Sequence, residues 1–220
     1  MKMVGCLMLM CVFLVACTTH TPPKRMAKKK RSNIRCFEKL DTADANKRFL
    51  EYRKKEEQEF PEEFMYPPSQ CEYTDSAGNI ITVTKTEVGY VMTKLKKGSL
   101  FGEYRCYFMN GNIQKSGQYC YQSFNCGIWR EYDVKGYLIK ETDMDKPYKN
   151  YSWQDVLDFV KKRNIDLYDE RTSIDRYINE ENIPCWNISW FNARITLPRY
   201  TIIDARNGRI ITDGIAHGMK

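Results

Sequence analysis

Apolar positions along the chain follow two different periods. From Asp41 to Phe60 the sequence is highly charged and free of glycine and proline, and Ala45, Phe49 and Tyr52 recur at helical spacing. That puts one narrow apolar stripe on an amphipathic helix that stops before Pro61. From residue 72 to 145 the period becomes two: short stretches rich in Tyr, Val, Ile and Thr are punctuated by Ala77-Gly78-Asn79, Lys97-Gly98, Asn110-Gly111 and Lys135-Gly136. This predicts a meander of β-hairpins. In the strand before Asn110, Tyr104, Cys106 and Phe108 point to one face and Glu103, Arg105 and Tyr107 to the other. After Pro147 the helical period returns. Ser152 is a good N-cap for a helix with Trp153, Val156, Leu157 and Val160 on one face, Asp155 in its first turn and Asn164 at its end. A second helix is expected near Ser173, with Ile174, Tyr177 and Ile178 inward. CWNISWF and RYTIIDARNGRIIT then predict two or three strands with a turn at Arg206-Asn207-Gly208. Trp186, Ile188 and Trp190 alternate toward the Trp153 helix. The expected fold class is α+β: a helical segment over 37–69, an antiparallel hairpin meander over 70–146, and a small helix-plus-antiparallel-sheet domain over 147–220.

The hairpin region repeats itself. GEYRCYFMNG, from residue 102, is echoed by GIWREYDVKG, from residue 127, and four positions coincide: Gly102 with Gly127, Tyr104 with Trp129, Tyr107 with Tyr132, and Gly111 with Gly136. A weaker copy spans Tyr73 to Ile80, since GNI occurs at 78–80 and again at 111–113. The pattern G-x-W/Y-x-x-Y-x-x-x-G-x-I/L resembles the MORN-type repeat in its YwqK-type antitoxin variant. That resemblance covers about a third of the chain and implies short hairpins stacked into an elongated, curved sheet that serves as structure or as a partner-binding surface. It brings no catalytic residue. The final run Tyr-x-Ile-Ile-Asp-Ala-x-x-Gly-x-Ile is similar to the closing hairpin of PepSY-like domains, which occur in exported proteins and are often regulatory or inhibitory.

The N-terminus changes the setting. Met3 to Val15 is almost wholly apolar and follows one lysine; it is shorter than the roughly 20 residues of a spanning helix and matches a signal-peptide core. It ends in Leu14-Val15-Ala16-Cys17, which resembles the bacterial lipobox. The resemblance implies a signal peptide over 1–16, cleavage before Cys17, and acylation of Cys17 into a firm membrane anchor. Thr18 in place of aspartate fits outer-membrane sorting in a Gram-negative host, with the protein facing the periplasm. Residues 17–36 form a basic tether carrying Lys24, Arg25, Lys28, Lys29, Lys30, Arg31 and Arg35. That cluster accounts for the formal charge of +7, because the chain beyond residue 35 holds 28 acidic and 27 basic side chains. A neutral body on a basic tether does not present the basic face of a nucleic-acid-binding fold, so no nucleic-acid partner is expected.

Nine cysteines are present. Beyond Cys17 they are Cys36, Cys71, Cys106, Cys120, Cys126 and Cys185, and only Cys120 and Cys126, flanking YQSFN, have a local argument for pairing as a disulfide. With no CxxC and the histidines at positions 20 and 217, no metal site and no cofactor are expected. No phosphate loop, dinucleotide fingerprint or HExxH occurs, and no acid–base–nucleophile set is apparent, so the expectation is a non-enzymatic protein. Tyr104, Tyr107, Trp129 and Tyr132 are side chains of the kind that anchor interfaces, and equally of the kind that fill a hairpin core. Alternation puts Tyr107 and Tyr132 on one face and Tyr104 and Trp129 on the other, leaving at most one pair for a partner. The functional expectation is a lipid-anchored envelope protein that binds a protein partner, an antitoxin or immunity-type inhibitor of a toxin or secreted effector; the alternative is a scaffold or accessory lipoprotein of an envelope complex.

Overall fold

The computed structural model describes residues 34–59, 70–121, 124–192 and 197–215. The expected signal peptide, Cys17 and the tether up to residue 33 lie outside the described residues. The chain is α+β and mostly antiparallel sheet. Helix α1 (Thr42–Glu59) precedes seven strands, β1 (Gln70–Thr74), β2 (Ile80–Lys85), β3 (Gly89–Leu95), β4 (Phe101–Phe108), β5 (Ile113–Cys120), β6 (Phe124–Tyr132) and β7 (Leu138–Asp143). These pair in sequence order as one meander. A 3-10 turn (Lys146–Tyr148) and helix α2 (Trp153–Lys162) lead to β8 (Ser173–Ile178), β9 (Pro184–Asn192), β10 (Leu197–Asp204) and β11 (Ile210–Ile215), which form a second sheet in the order β11-β10-β9-β8.

The turns follow from side-chain chemistry. Asp75, Asp133 and Asn179 each accept backbone N–H groups two and four residues on. The fourth turn residue has positive φ at Gly78, Gly136 and Asn182. This is the type I turn with a left-handed bulge residue that closes three-residue hairpin loops. The third of these turns, Asn179 to Ile183, explains one departure from expectation: residues 173–178 are strand β8, not a helix. Ile174, Tyr177 and Ile178 fit helical spacing, but the Asn179 turn folds the segment back onto β9, with Ile174 facing Ile188 and Tyr177 facing Cys185. Ile174 is fully buried while Tyr177 and Ile178 are exposed. Helix α2 is as expected, closed by a capping box between Ser152 and Asp155, with Asn164 in the left-handed region just beyond it.

The register defines which side chains share the meander's first face. Cys71, Val83, Tyr90, Tyr107, Ile113, Tyr132 and Leu138 lie there at one end of the strands and pack on Ala45 and Phe49 of α1. Phe101, Cys120 and Phe124 lie on the same face at the other end and pack against α2 and the second sheet, with Trp186, Ile188 and Ile203 at its centre. One face is thus covered at both ends, by different parts of the chain.

Before α1, residues 34–40 form an arm that the sequence did not foretell. It bridges Tyr137 through Arg35 and Asn112 through Lys39. The Cys36 N–H donates to Gly136 O at 2.9 Å and the Leu40 N–H to Gly111 O at 2.8 Å. The repeat's two closing glycines therefore meet two demands: φ of 81° and 84° at Gly111 and Gly136, and close passage of the arm, whose Leu40 and Cys36 carbonyl oxygens lie 2.6 and 2.5 Å from where a Cβ would stand. Equivalent turns sit two strands apart, about 9.6 Å, which four arm residues reach with slack.

Candidate functional site

Where the two sheets meet, a cleft of about 460 Å³ opens at the end of the meander away from the arm. Its walls are aromatic. Phe101 and Phe124 come from the ends of β4 and β6, Tyr148 from the 3-10 turn, and Trp153 from the first position of α2. Trp153 lies 5.5 Å from both phenylalanine rings, and Trp186 of β9 backs the group at 5.2 Å from Phe124 and 5.3 Å from Tyr148. The Trp186 indole N–H donates to Tyr151 O at 2.9 Å, satisfying the one polar atom that its burial would strand.

Arg176 of β8 enters this aromatic box. Its guanidinium carbon sits 4.5 Å from the Tyr148 ring centroid, 4.8 Å from Phe124 and 5.5 Å from Trp186. Nη2 donates to Asp145 Oδ1 at 2.8 Å and to the Asn125 carbonyl. Asp145 Oδ2 in turn accepts the Gly127 N–H at 2.9 Å. The Arg176 side chain is 6% exposed and that of Asp145 48%, so the pair is buried on the arginine side and open to solvent on the carboxylate side. Stacking plus a carboxylate is the environment that suits a planar guanidinium, and a lysine would not reproduce it. Cys126 also lines the cleft; burial and nearby Asp145 push its thiol up to about 11 against the opposing Arg176 charge. It is a protonated, weakly nucleophilic thiol at neutral pH.

A second, polar hollow of about 340 Å³ occupies the middle of the same sheet face, between the two covered ends. Glu103, Arg105, Ser116 and Arg130 line it, and Gln118 lines both cavities. Arg105 pairs with Glu103 and, at 2.7 Å, with Glu38 from the arm. Arg130 pairs with Glu141 at 3.0 Å.

None of the four aromatics expected as anchors lines the cleft, and of the two cysteines expected to pair only Cys126 does. Tyr107 and Tyr132 share a face as expected, but that face is covered by α1 and the arm, leaving them 2% and 8% exposed. The Tyr107 hydroxyl donates to Glu38 Oε1 at 2.7 Å; burial, with Glu38 beside it, drives its pKa far above the ordinary tyrosine value. Tyr104 and Trp129 share the opposite, helix-free face, 5.2 Å apart and tilted by 33°. Trp129 is nonetheless only 5% exposed, because β6 bulges at 127–129 and Gly117 lets the indole lie flat on β5. Its N–H donates to the Gln118 and Cys126 carbonyl oxygens at 2.9 and 3.1 Å. Of the four expected anchors, Tyr104 alone remains half-exposed. Gly102 and Gly127 are likewise not equivalent. Gly102 is a strand residue under the Tyr119 ring, whereas Gly127 has φ of 66° in the bulge.

The expected Cys120–Cys126 disulfide is also absent: the six cysteines among the described residues are free thiols. Cys120 faces Phe124 and Cys126 faces Gln118. The hairpin closes over a three-residue loop, which adds a ladder pair and buries Phe124, and so displaces the two cysteines from opposition. Among the described residues no group of three or more His, Cys, Asp or Glu side chains is arranged to hold a metal ion. Compared with protein-family models, curated proteins and solved structures, the chain has no significant match.

Proposed function

We propose that this chain is a lipid-anchored envelope protein that binds a protein partner as an immunity-type inhibitor, with the aromatic cleft rather than the repeat tyrosines as its binding site. The observation that carries the reading is the cleft itself. Trp, Tyr and Arg concentrated in a concave, largely apolar site form the composition of an interface hot spot. Exposed Gln118, Gln154 and Lys149 at its edge supply the polar rim that such sites carry. The lipobox around Cys17 supports the location, and the repeat pattern supports the inhibitor class.

The test is capture with the Cys17→Ser chain, followed by affinity measurement on the recovered partner. Trp153→Ala is expected to weaken binding by about 30-fold or more, as loss of a hot-spot tryptophan does. Lys149→Glu, an exposed rim substitution with little effect on folding, is expected to weaken it less and to change its salt dependence. Tyr168→Ala, at an exposed position outside the cleft, leaves binding intact. A partner that binds all three variants equally removes the cleft from the reading. A gene-deletion strain that survives attack by neighbouring toxin producers as well as its parent removes the inhibitor role.

A further inference from the structure

The end of the meander opposite the cleft carries a second surface. Strands β2, β4 and β6 run in the same direction, so their following turns at 86–88, 109–112 and 133–137 lie side by side at one end of the sheet. Each turn holds one apolar side chain out into solvent: Val88 is 73% exposed, Met109 49% and Val134 51%. The arm crosses the second and third of these turns and adds Phe37 at 79% and Ile34 at 64%. Tyrosines aside, Phe37, Val88 and Ile34 are the three most exposed large hydrophobic side chains among the described residues. Hairpin turns have polar alternatives at every such position, and apolar tips gathered at one end cost solubility unless something covers them.

Charge specifies the cover. Arg35, Lys39, Lys85 and Lys135 are exposed around the tips, and the exposed carboxylates among them are Glu87 and Glu38. Asp133 and Glu38 are turned to internal work, the first capping its turn and the second bonding Tyr107 and Arg105. Arg35 is held over the rings of Phe37 and Tyr137 at 4.9 and 5.4 Å. The described chain begins at this same end with Ile34, and the sequence before it carries six further basic residues between positions 24 and 31 and, ahead of them, the lipobox cysteine Cys17. Apolar points ringed by lysine and arginine, with a basic run and the lipobox cysteine preceding them in sequence, match the interface of an anionic bilayer.

We propose that the turn end of the meander docks on the membrane surface, Val88, Met109, Val134, Phe37 and Ile34 entering the headgroup region among phospholipid phosphates bound by Arg35, Lys39, Lys85 and Lys135. The proposal rests on the anchored reading above and deepens it: the sheet stands on the bilayer, with the cleft about 24 Å away at the other end of eight-residue strands. The test uses the full chain reconstituted into vesicles of phosphatidylcholine with phosphatidylglycerol as the anionic lipid. A photoreactive phenylalanine analogue replaces Val88, Met109 or Val134, and in the control Tyr121, an exposed residue at the cleft end. Lipid adducts at the tips about tenfold above those at Tyr121 are expected, falling by a similar factor when the other two tips become glutamate, since each tenfold step is a modest partition difference. A chain that sediments with vesicles yet yields tip adducts no greater than at Tyr121 overturns the docking and leaves the anchor standing. A chain that stays in the supernatant overturns both.

Discussion

Gly117 is the position at which one added methyl tests the account of the meander. A Cβ there would stand 2.3 Å from Trp129 Cδ2 and Cε2, so the indole must leave the sheet. Overpacking of this kind costs about 1–3 kcal/mol. Displacing the ring also forfeits its pairing with Tyr104, about 0.5–1.5 kcal/mol, and a net hydrogen bond to the Gln118 or Cys126 carbonyl, about 1 kcal/mol. Against this, alanine is favoured over glycine within a strand by about 0.5–1 kcal/mol. The net expectation for Gly117→Ala is a loss of about 2–4 kcal/mol, a large share of the stability of a domain this size. The assay is a double-mutant cycle by urea unfolding, with Trp129→Val as the second substitution. Once the indole is gone the methyl has room, and Gly117→Ala becomes neutral or slightly stabilising. Equal costs in the two backgrounds would refute the claim that Trp129 is seated by the missing side chain of Gly117.

Tyr107→Phe removes the hydroxyl that donates to Glu38 and should destabilise by about 1.5–3 kcal/mol, with faster hydrogen exchange at the Cys36 and Leu40 amides as the arm loosens. Asp213 accepts from Arg163 at 2.7 Å, from Thr201 at 3.1 Å and from Arg199 at 3.2 Å; burial alone would raise its pKa, but these partners hold it below the ordinary carboxylate value. A depressed folded-state pKa gives stability that is present above the unfolded value near 4 and lost as pH falls through the folded one. The stability gap between the native chain and Asp213→Asn, about 1–2 kcal/mol at neutral pH, should therefore close on acidification below about pH 4. Thiol labelling under native, non-reducing conditions should modify Cys126 far more slowly than half-exposed Cys36, and denaturation should release Cys120 and Cys126 as free thiols; a peptide cross-link between those two would refute the register.

What the sequence disclosed depended on whether a signal was local. The α1 stripe, the α2 cap and the glycine turns were legible because period, capping and positive φ are each fixed by a few neighbouring residues. Strand β8 was not, since Ile174, Tyr177 and Ile178 fit the helical period and only Ile174 and Ile178 share a strand face, while the deciding feature, the Asn179 turn, carries asparagine where glycine is more familiar. Strand alternation placed Tyr107 with Tyr132 correctly but could not say which face α1 would cover. It also could not foresee that a bulge at 127–129 would bury Trp129. Nothing in a single stretch announced the cleft, whose walls come from residues 101, 124, 148, 153 and 176, on three strands of two sheets, a 3-10 turn and a helix. Arg176 gave no signal of its own, because an arginine in a strand becomes informative only when three rings surround it.

The repeat that is so visible in the sequence is thereby given a different meaning by the structure. Its second half, Tyr107 to Gly111 and Tyr132 to Gly136, is the half that forms equivalent turns and receives the arm. Its other half, Gly102 with Tyr104 and Gly127 with Trp129, diverges into a plain strand and a bulge. Selection for a uniform binding surface would hold the exposed aromatics constant and let the turns drift. The reverse pattern is what a clasp requires, since Gly111 and Gly136 must both leave room for the arm's backbone. On that argument the repeat records how the N-terminal arm is fastened to the sheet. Replacing Gly111 and Gly136 together by alanine should then free the arm, seen as loss of exchange protection at Cys36 and Leu40, while the Phe124–Trp153–Trp186 packing at the cleft keeps its near-ultraviolet circular dichroism. Simultaneous loss of both signals would show that arm and cleft belong to one cooperative unit, and the assignment of the repeat to the arm alone would fail.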